Sequence, residues 1–383
     1  MANDTEGILM QRWSRTSRLG VWSLPVLLGM LASCAAHAPG ESIRPLSDVR
    51  GLPDPLRMNS GKRVKTVEAW RARRGEIREV LLRYEYGHVP AAPGNVAVES
   101  EAEAETLNGG KTTHRQVALR FGPGQTLKMK VDLYLPREAG GPCPVVLRVG
   151  LDAGPSRQIN ERGYAYACYD QHALDPDPGE GKDVVGTAQT AYPEYDWGSL
   201  AVWAWGASRA LDYLLTVPAV NPNQIIITGH SRGGKTALLA GAMDERFAMV
   251  VPNGSGCGGA GCYRIEGKNS ETLKLITSPK RFKSWFQEDF GRFADNEDRL
   301  PFDQHFVKAL VAPRLLLSTD ALGDLWANPL GTQATYLAVQ PVYDFLGAGT
   351  NNALHFRAGG HDQLPEDYEV LLDFADLHFR GKP

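Results

Sequence analysis

The chain has 383 residues, enough for one large α/β domain or two ordinary ones, which excludes a disulfide-stapled miniprotein. Apolar residues make up 43% and charged residues 22%, and 41 Lys+Arg against 44 Asp+Glu leave a formal charge of −3. The body of the chain has no run of basic residues, so a groove built on phosphate neutralisation lacks its stripe and nucleic acid is excluded as a partner.

Arg12, Arg15 and Arg18 precede the apolar run from Val21 to Leu31, which is too short to span a bilayer and is followed by small residues. That is the pattern of an export signal over residues 1–33. The junction Leu31-Ala32-Ser33-Cys34 resembles the bacterial lipobox, so Cys34 is expected to be acylated as the first mature residue. Residues 34–55 then read as a tether and 56–383 as the folded domain. The alternative is a plain signal peptide cut near Ala36 or Ala38, with a secreted or periplasmic product. Two acyl chains hold a protein firmly where one is marginal, so membrane contact is expected only through this anchor. Ala35 is not the aspartate of inner-membrane retention, which leans towards the outer membrane, on its periplasmic or surface face. Of the other cysteines, Cys257 and Cys262 are candidates for a disulfide, whereas Cys143 and Cys168 lie in apolar runs and read as buried thiols. Their spacing is not that of a metal site, and no metal or cofactor is expected.

From Thr66 to Tyr86, Val67, Trp70, Ile77, Val80, Leu81 and Tyr84 fall on one face of a helix that covers the domain. Residues 112–121 and 126–135 alternate apolar and polar about a Gly-Pro-Gly turn, the signal for an antiparallel hairpin. Beyond them come short, nearly continuous apolar runs at 144–149, 164–169, 224–228, 247–251 and 314–318, as strands buried on both faces require. Helical patterns fill 197–215, 235–243 and 365–379. Alternating β and α predicts a mostly parallel, doubly wound sheet with an antiparallel N-terminal edge, the α/β-hydrolase fold. Residues 255–310 are too long for a simple connection and are expected to form an insertion over the sheet's C-terminal edge.

Within this frame, Gln224 to Ala240 reads strand, then Gly-His-Ser-Arg-Gly, then helix. Gly229 and Gly233 lie where a side chain would collide as the strand turns sharply into the helix, and Ser231 is left exposed at the helix N-terminus. Its oxygen would face backbone N–H groups and the positive end of the helix dipole, which makes it the candidate nucleophile. A serine needs a base within hydrogen-bond reach. His361 follows a short strand and two glycines just before the final helix, so it is the candidate base; His355, inside the strand, and His305 read as structural. The acid that orients the base is expected after the strand 314–318, where Asp320 and Asp324 are both candidates.

The stretches Trp197 to Asp212, Gly-His-Ser-Arg-Gly-Gly-Lys-Thr-Ala, Ser255-Gly-Cys-Gly-Gly-Ala, Leu300-Pro-Phe-Asp-Gln-His305, Asp324-Leu-Trp-Ala-Asn-Pro and Gly360-His361 resemble the bacterial branch of carbohydrate esterase family 15, the glucuronoyl esterases. The resemblance implies cleavage of the ester between 4-O-methyl-glucuronic acid on xylan and lignin alcohols, without a cofactor. It implies that Arg232 places a guanidinium against the oxyanion, that Lys235 and Glu271 bond sugar hydroxyls, and that Trp326 bonds or stacks on the sugar. Many members carry a glutamate where this chain has Gly254, so the resemblance assigns the acid to Asp324. Fungal members have cysteines at the positions of His230 and Asp362, and these two are expected to pair in their place. A glucuronoxylan or lignin–carbohydrate ester is the expected partner, and a monomer the expected state. The rivals are an acetyl or feruloyl xylan esterase and a non-catalytic glucuronoxylan-binding surface lipoprotein.

Overall fold

Continuous apolar runs set the middle of the sheet, because only strands covered on both faces can be apolar at every position. In a computed structural model, which describes residues 51–382 apart from 178, 180, 181, 183 and 283, these five runs become β5 (Cys143–Val149), β6 (Ala165–Tyr169), β7 (Val220–His230), β8 (Met249–Asn253) and β9 (Leu315–Ala321), and the short strand read before His361 becomes the edge strand β10 (Asn352–Arg357). Ahead of them lie β1 (Ala97–Glu101), β2 (Glu105–Leu107), β3 (Thr112–Phe121) and β4 (Leu127–Pro136). The strand order is β1-β3-β4-β6-β5-β7-β8-β9-β10, with β2 also pairing β3. Pairing is parallel from β6 through β10 and antiparallel from β1 to the β4–β6 junction. This is the α/β-hydrolase architecture with its antiparallel N-terminal edge. The signal segment, Cys34 and most of the tether lie outside the described residues.

Helices cover both faces. They are α1 (Val67–Leu81), α2 (Ser156–Glu161), α3 (Thr187–Ala191), α4 (Ser199–Leu214), α5 (Arg232–Met243), α6 (Leu273–Ile276), α7 (His305–Val311), α8 (Pro329–Phe345) and α9 (Pro365–Arg380). On one face Val146, Tyr166, Ile226, Met249 and Leu317 pack with Ile159 of α2 and Tyr368, Leu371 and Leu372 of α9. Burial of each such side chain contributes roughly 1.5–3 kcal/mol. On the other face α5 lies directly on β8: a Cβ at Gly241 would stand 2.2 Å from Val250 Cγ2. Alternate residues of β7 and β8 therefore serve opposite layers.

Three expectations are refined. The first helix starts on schedule, with Thr66 Oγ1 accepting from Ala69 N, but its last turn, Leu82–Tyr86, widens to π geometry around a buried Glu85. Residues 305–311 leave the insertion to form α7, so the excursion between β8 and α7 covers residues 254–304. Its interior is an aromatic cluster in which Phe290 contacts Tyr263, Phe286, Phe293 and Phe302. The candidate disulfide is absent: Cys257 and Cys262 are separate buried thiols, and Cys262 Sγ instead donates to Asp303 Oδ2 at 3.3 Å. Among the described residues no helix is long and apolar enough to cross a membrane.

Candidate active site

β7 ends at His230 and α5 begins at Arg232, so the chain reverses on Ser231, at φ 56° and ψ −122°. This is strained backbone for a residue with a Cβ. Glycine makes it attainable: a Cβ on Gly229 would stand 2.3 Å from the Gly233 carbonyl oxygen, and one on Gly234 2.7 Å from that of Asn253. Gly233, expected to be as confined as Gly229, has more room, 3.3 Å from the Val149 carbonyl oxygen. The turn presents Ser231 Oγ at the N-terminus of α5, where the first N–H groups have no intrahelical acceptors.

β10 leads to His361, and the turn after β9 leads to Asp324. Ser231 Oγ–H donates to His361 Nε2 at 2.9 Å, and Nδ1–H donates to Asp324 Oδ2 at 2.5 Å; the tautomer follows from the carboxylate's inability to donate. Asp324 is buried and fixed in turn by Ala327 N, which donates to its other oxygen at 3.2 Å. The Asp324 bond raises the His361 pKa above its ordinary 6.5, against the opposing effect of burial. Asp320 is excluded because β9 runs on through it: it pairs with Phe356 inside the sheet, and burial lifts its carboxyl to about 7.

His230 takes a different partner from the Asp362 expected for it. Its Nδ1–H donates to Asn253 Oδ1 at 2.7 Å, and Asn253 Nδ2 donates to Thr319 Oγ1 at 2.9 Å. The His230 and His361 rings lie 4.5 Å apart at 47°. Burial lowers the His230 pKa, so a neutral ring supports the flank of the base. Gly254 borders the same group: a Cβ there would lie 3.1 Å from His230 Cε1 and 3.7 Å from Asp324 Oδ2. With glycine at this position, the carboxylate on the imidazole comes from Asp324.

Beside the triad, Lys235 is buried with all three donors committed, to the carbonyls of Ser255 at 2.8 Å and Cys257 at 2.5 Å and to Glu271 Oε2 at 2.6 Å. Glu271 N donates to the Trp326 carbonyl at 2.9 Å, which ties two of the sequence candidates together. The half-buried Trp326 ring has the Arg281 guanidinium 5.0 Å from its centroid. Arg232 donates to Asp177 Oδ2 and stands 5.3 Å from the Trp285 ring centroid. Ser231, His361, Asp324 and Arg232 thus share one locality, with Lys235, Glu271 and Trp326 linked alongside. His305 is structural as expected: its Nε2–H donates to the Pro53 carbonyl at 2.7 Å.

Sequence reading missed Asn253, Asp177, Trp285 and Asn328. Asn253 carried a signal, since a polar residue ends an otherwise apolar run one strand from the elbow. Asn328 also carried one, an Asn-Pro pair that caps α8. Asp177 reaches Arg232 across 55 residues of chain, and no local pattern announces it. Among the described residues no cluster of three or more His, Cys, Asp or Glu could hold a metal.

A family model described as glucuronyl esterase, fungi, matches residues 121–347. The chain belongs to carbohydrate esterase family 15, the glucuronoyl esterases. The 4-O-methyl-glucuronoyl methylesterase of Phanerochaete carnosa is 31% identical over 377 residues, spanning 94% of this chain and 89% of its own. Among solved structures, a promiscuous family 15 esterase from a marine bacterial metagenome superposes with a TM-score of 0.76 at 31% identity, over 86% of this chain and 97% of that one. The glucuronoyl esterase of Sporotrichum thermophile, solved with methyl 4-O-methyl-β-D-glucopyranuronate, gives 0.73 at 26% identity over 88% and 89%. This family 15 esterase therefore keeps the fold of both bacterial and fungal relatives.

Proposed function

We propose that this esterase hydrolyses esters of glucuronic and 4-O-methyl-glucuronic acid, such as those joining glucuronoxylan to lignin alcohols, by acyl transfer through Ser231. The observation that carries this is the unbroken relay from Ser231 Oγ through His361 to Asp324, at 2.9 Å and 2.5 Å. His361 takes the serine proton as Oγ attacks the uronoyl carbonyl, and the imidazolium is stabilised by Asp324. Arg232 and the first N–H groups of α5 receive the oxyanion. The C–O bond to the alcohol then breaks, with His361 returning the proton to the leaving oxygen. Water repeats the sequence on the acyl-enzyme and releases the uronate. Glu271 and Trp326 read the sugar. Lys235 holds Glu271 and the 255–257 main chain in place, since each of its N–H groups is already bonded.

The test is turnover of benzyl glucuronate, with acetylated and feruloylated xylan for comparison. Wild type is expected to prefer the glucuronate, and Ser231→Ala to lose at least about a thousandfold in kcat. Equal or better turnover of the acetyl or feruloyl substrates would overturn the assignment. From the sequence alone we also propose export and acylation of Cys34, with the protein held at the outer membrane. Mass spectrometry of the mature N-terminus is expected to find a diacylated Cys34, and an unmodified terminus beyond it would refute the anchor.

A further inference from the structure

Arg232 is held from two sides by segments distant in sequence. Its guanidinium donates to Asp177 Oδ2, and the ring centroid of Trp285, from the 254–304 excursion, lies 5.3 Å from its Cζ. The two partners of the ion pair differ in exposure: the Arg232 side chain is 43% exposed, that of Asp177 only 4%. A carboxylate so enclosed needs a hydrogen-bonding cation, and Arg232 is the one placed against it. The chain bearing Asp177 is rooted on helices. Trp203 Nε1 of α4 donates to the Asp175 carbonyl at 2.7 Å, and Ala188 N of α3 donates to that of Leu174 at 3.0 Å. The segment leading into Asp177 is therefore anchored, and its carboxylate is the more enclosed member of the pair.

We propose that Asp177 is a positioning residue for the reaction: with Trp285 it fixes the Arg232 guanidinium beside Ser231 before substrate arrives. The inference rests on the reading of Arg232 as an oxyanion donor. Two effects oppose each other. A neighbouring carboxylate reduces the positive field felt by the oxyanion, whereas an arginine free to wander must give up rotamer entropy to be held in one place. The half-exposed guanidinium is screened by water, which weakens the field effect, and its five N–H donors leave others to aim at substrate after one is committed to Asp177. Orientation therefore wins, because a donor already in place needs no reorganisation in the transition state.

The experiment is steady-state kinetics on benzyl glucuronate for Asp177→Ala, Asp177→Asn, Arg232→Ala and the double variant Asp177→Ala/Arg232→Ala. Asp177→Ala is expected to lower kcat by about tenfold or more with KM within about twofold, the signature of a misplaced transition-state donor. Asp177→Asn, which keeps an acceptor oxygen, is expected to recover much of that loss. In the Arg232→Ala background the Asp177→Ala change is expected to have no further effect. Undiminished kcat in Asp177→Ala beside a crippled Arg232→Ala would overturn the positioning role and leave the oxyanion reading intact. An equal loss from Asp177→Ala in both backgrounds would also overturn it, by marking a purely structural residue. Full activity of Arg232→Ala would remove the oxyanion reading and this inference together.

Discussion

Asp324 and Asp320 stand four residues apart, and the length of a strand decides between them. Both follow the apolar run in sequence, but β9 continues to Ala321, which seats Asp320 within the sheet and leaves Asp324 on the turn that faces His361. The catalytic consequence has a defined sign. Because the Asp324 bond raises the His361 pKa, the neutral base needed for attack is lost on the acid side at a pH above the ordinary 6.5 of imidazole. Asp324→Asn is expected to move that limb of the kcat/KM profile to lower pH and to cut kcat by about a thousandfold or more, as loss of the tautomer-setting acid does in serine hydrolases. A variant with near wild-type kcat and an unmoved acid limb would contradict the assignment. Ser231 and His361 were legible because turn chemistry is local: glycines and a strand–helix switch can be read in order. Lys235 shows the limit of such reading, since nothing in its neighbours reveals that two carbonyls and a carboxylate already occupy it.

The central strands were legible for the reason that makes them central, an apolar side chain at nearly every position. Elements that deviate from one simple period were not. α8 has Pro329 in its first turn, Gly331 next, Pro341 in its interior and threonines on its buried face, so its periodicity is broken in sequence although the helix is continuous. What starts it is Asn328, at φ 55°, whose Oδ1 accepts from Gly331 N at 3.0 Å and from Gly267 N at 3.1 Å while Nδ2 donates to the Ile265 carbonyl at 2.8 Å. One amide thus caps a helix and clasps the excursion that goes on to Glu271. Asn328→Ala is expected to lower unfolding stability by about 1–2 kcal/mol, the cost of a lost cap with its partners left unpaired. It should also raise KM more than it lowers kcat, because the loosened segment leads to Glu271, which is proposed above to read the sugar. Chemical denaturation and Michaelis kinetics on the same preparation check both; an unchanged KM would show that the clasp does not reach the site.

At the scale of the whole molecule, pH acts on buried groups far apart in sequence, among them Glu85 and His305. Glu85 accepts from Tyr263 Oη and Gln304 Nε2, each at 2.6 Å, and burial lifts its pKa to about 8. Its folded pKa exceeds the ordinary 4.5, so the stability it confers is complete below 4.5 and is lost as pH rises through about 8. Buried His305 is pushed down to about 4 from 6.5, so folding is weakened as pH falls through that interval. Glu85→Gln keeps an acceptor and removes the titration: its Tm is expected to match wild type near pH ~5 and to exceed it by several degrees near pH ~9. A wild-type slope retained by the variant would place the alkaline sensitivity elsewhere. The four enclosed sulfurs carry a different consequence. Burial pushes the thiols of Cys143, Cys168, Cys257 and Cys262 above their ordinary 9.0, and none of the four is bridged. Thiolate is the form that oxidants and alkylating reagents attack. At these four positions burial disfavours the form such reagents attack, and dithiothreitol has no cross-link there to cleave, so the folded domain is expected to keep the same covalent skeleton on either side of a redox boundary.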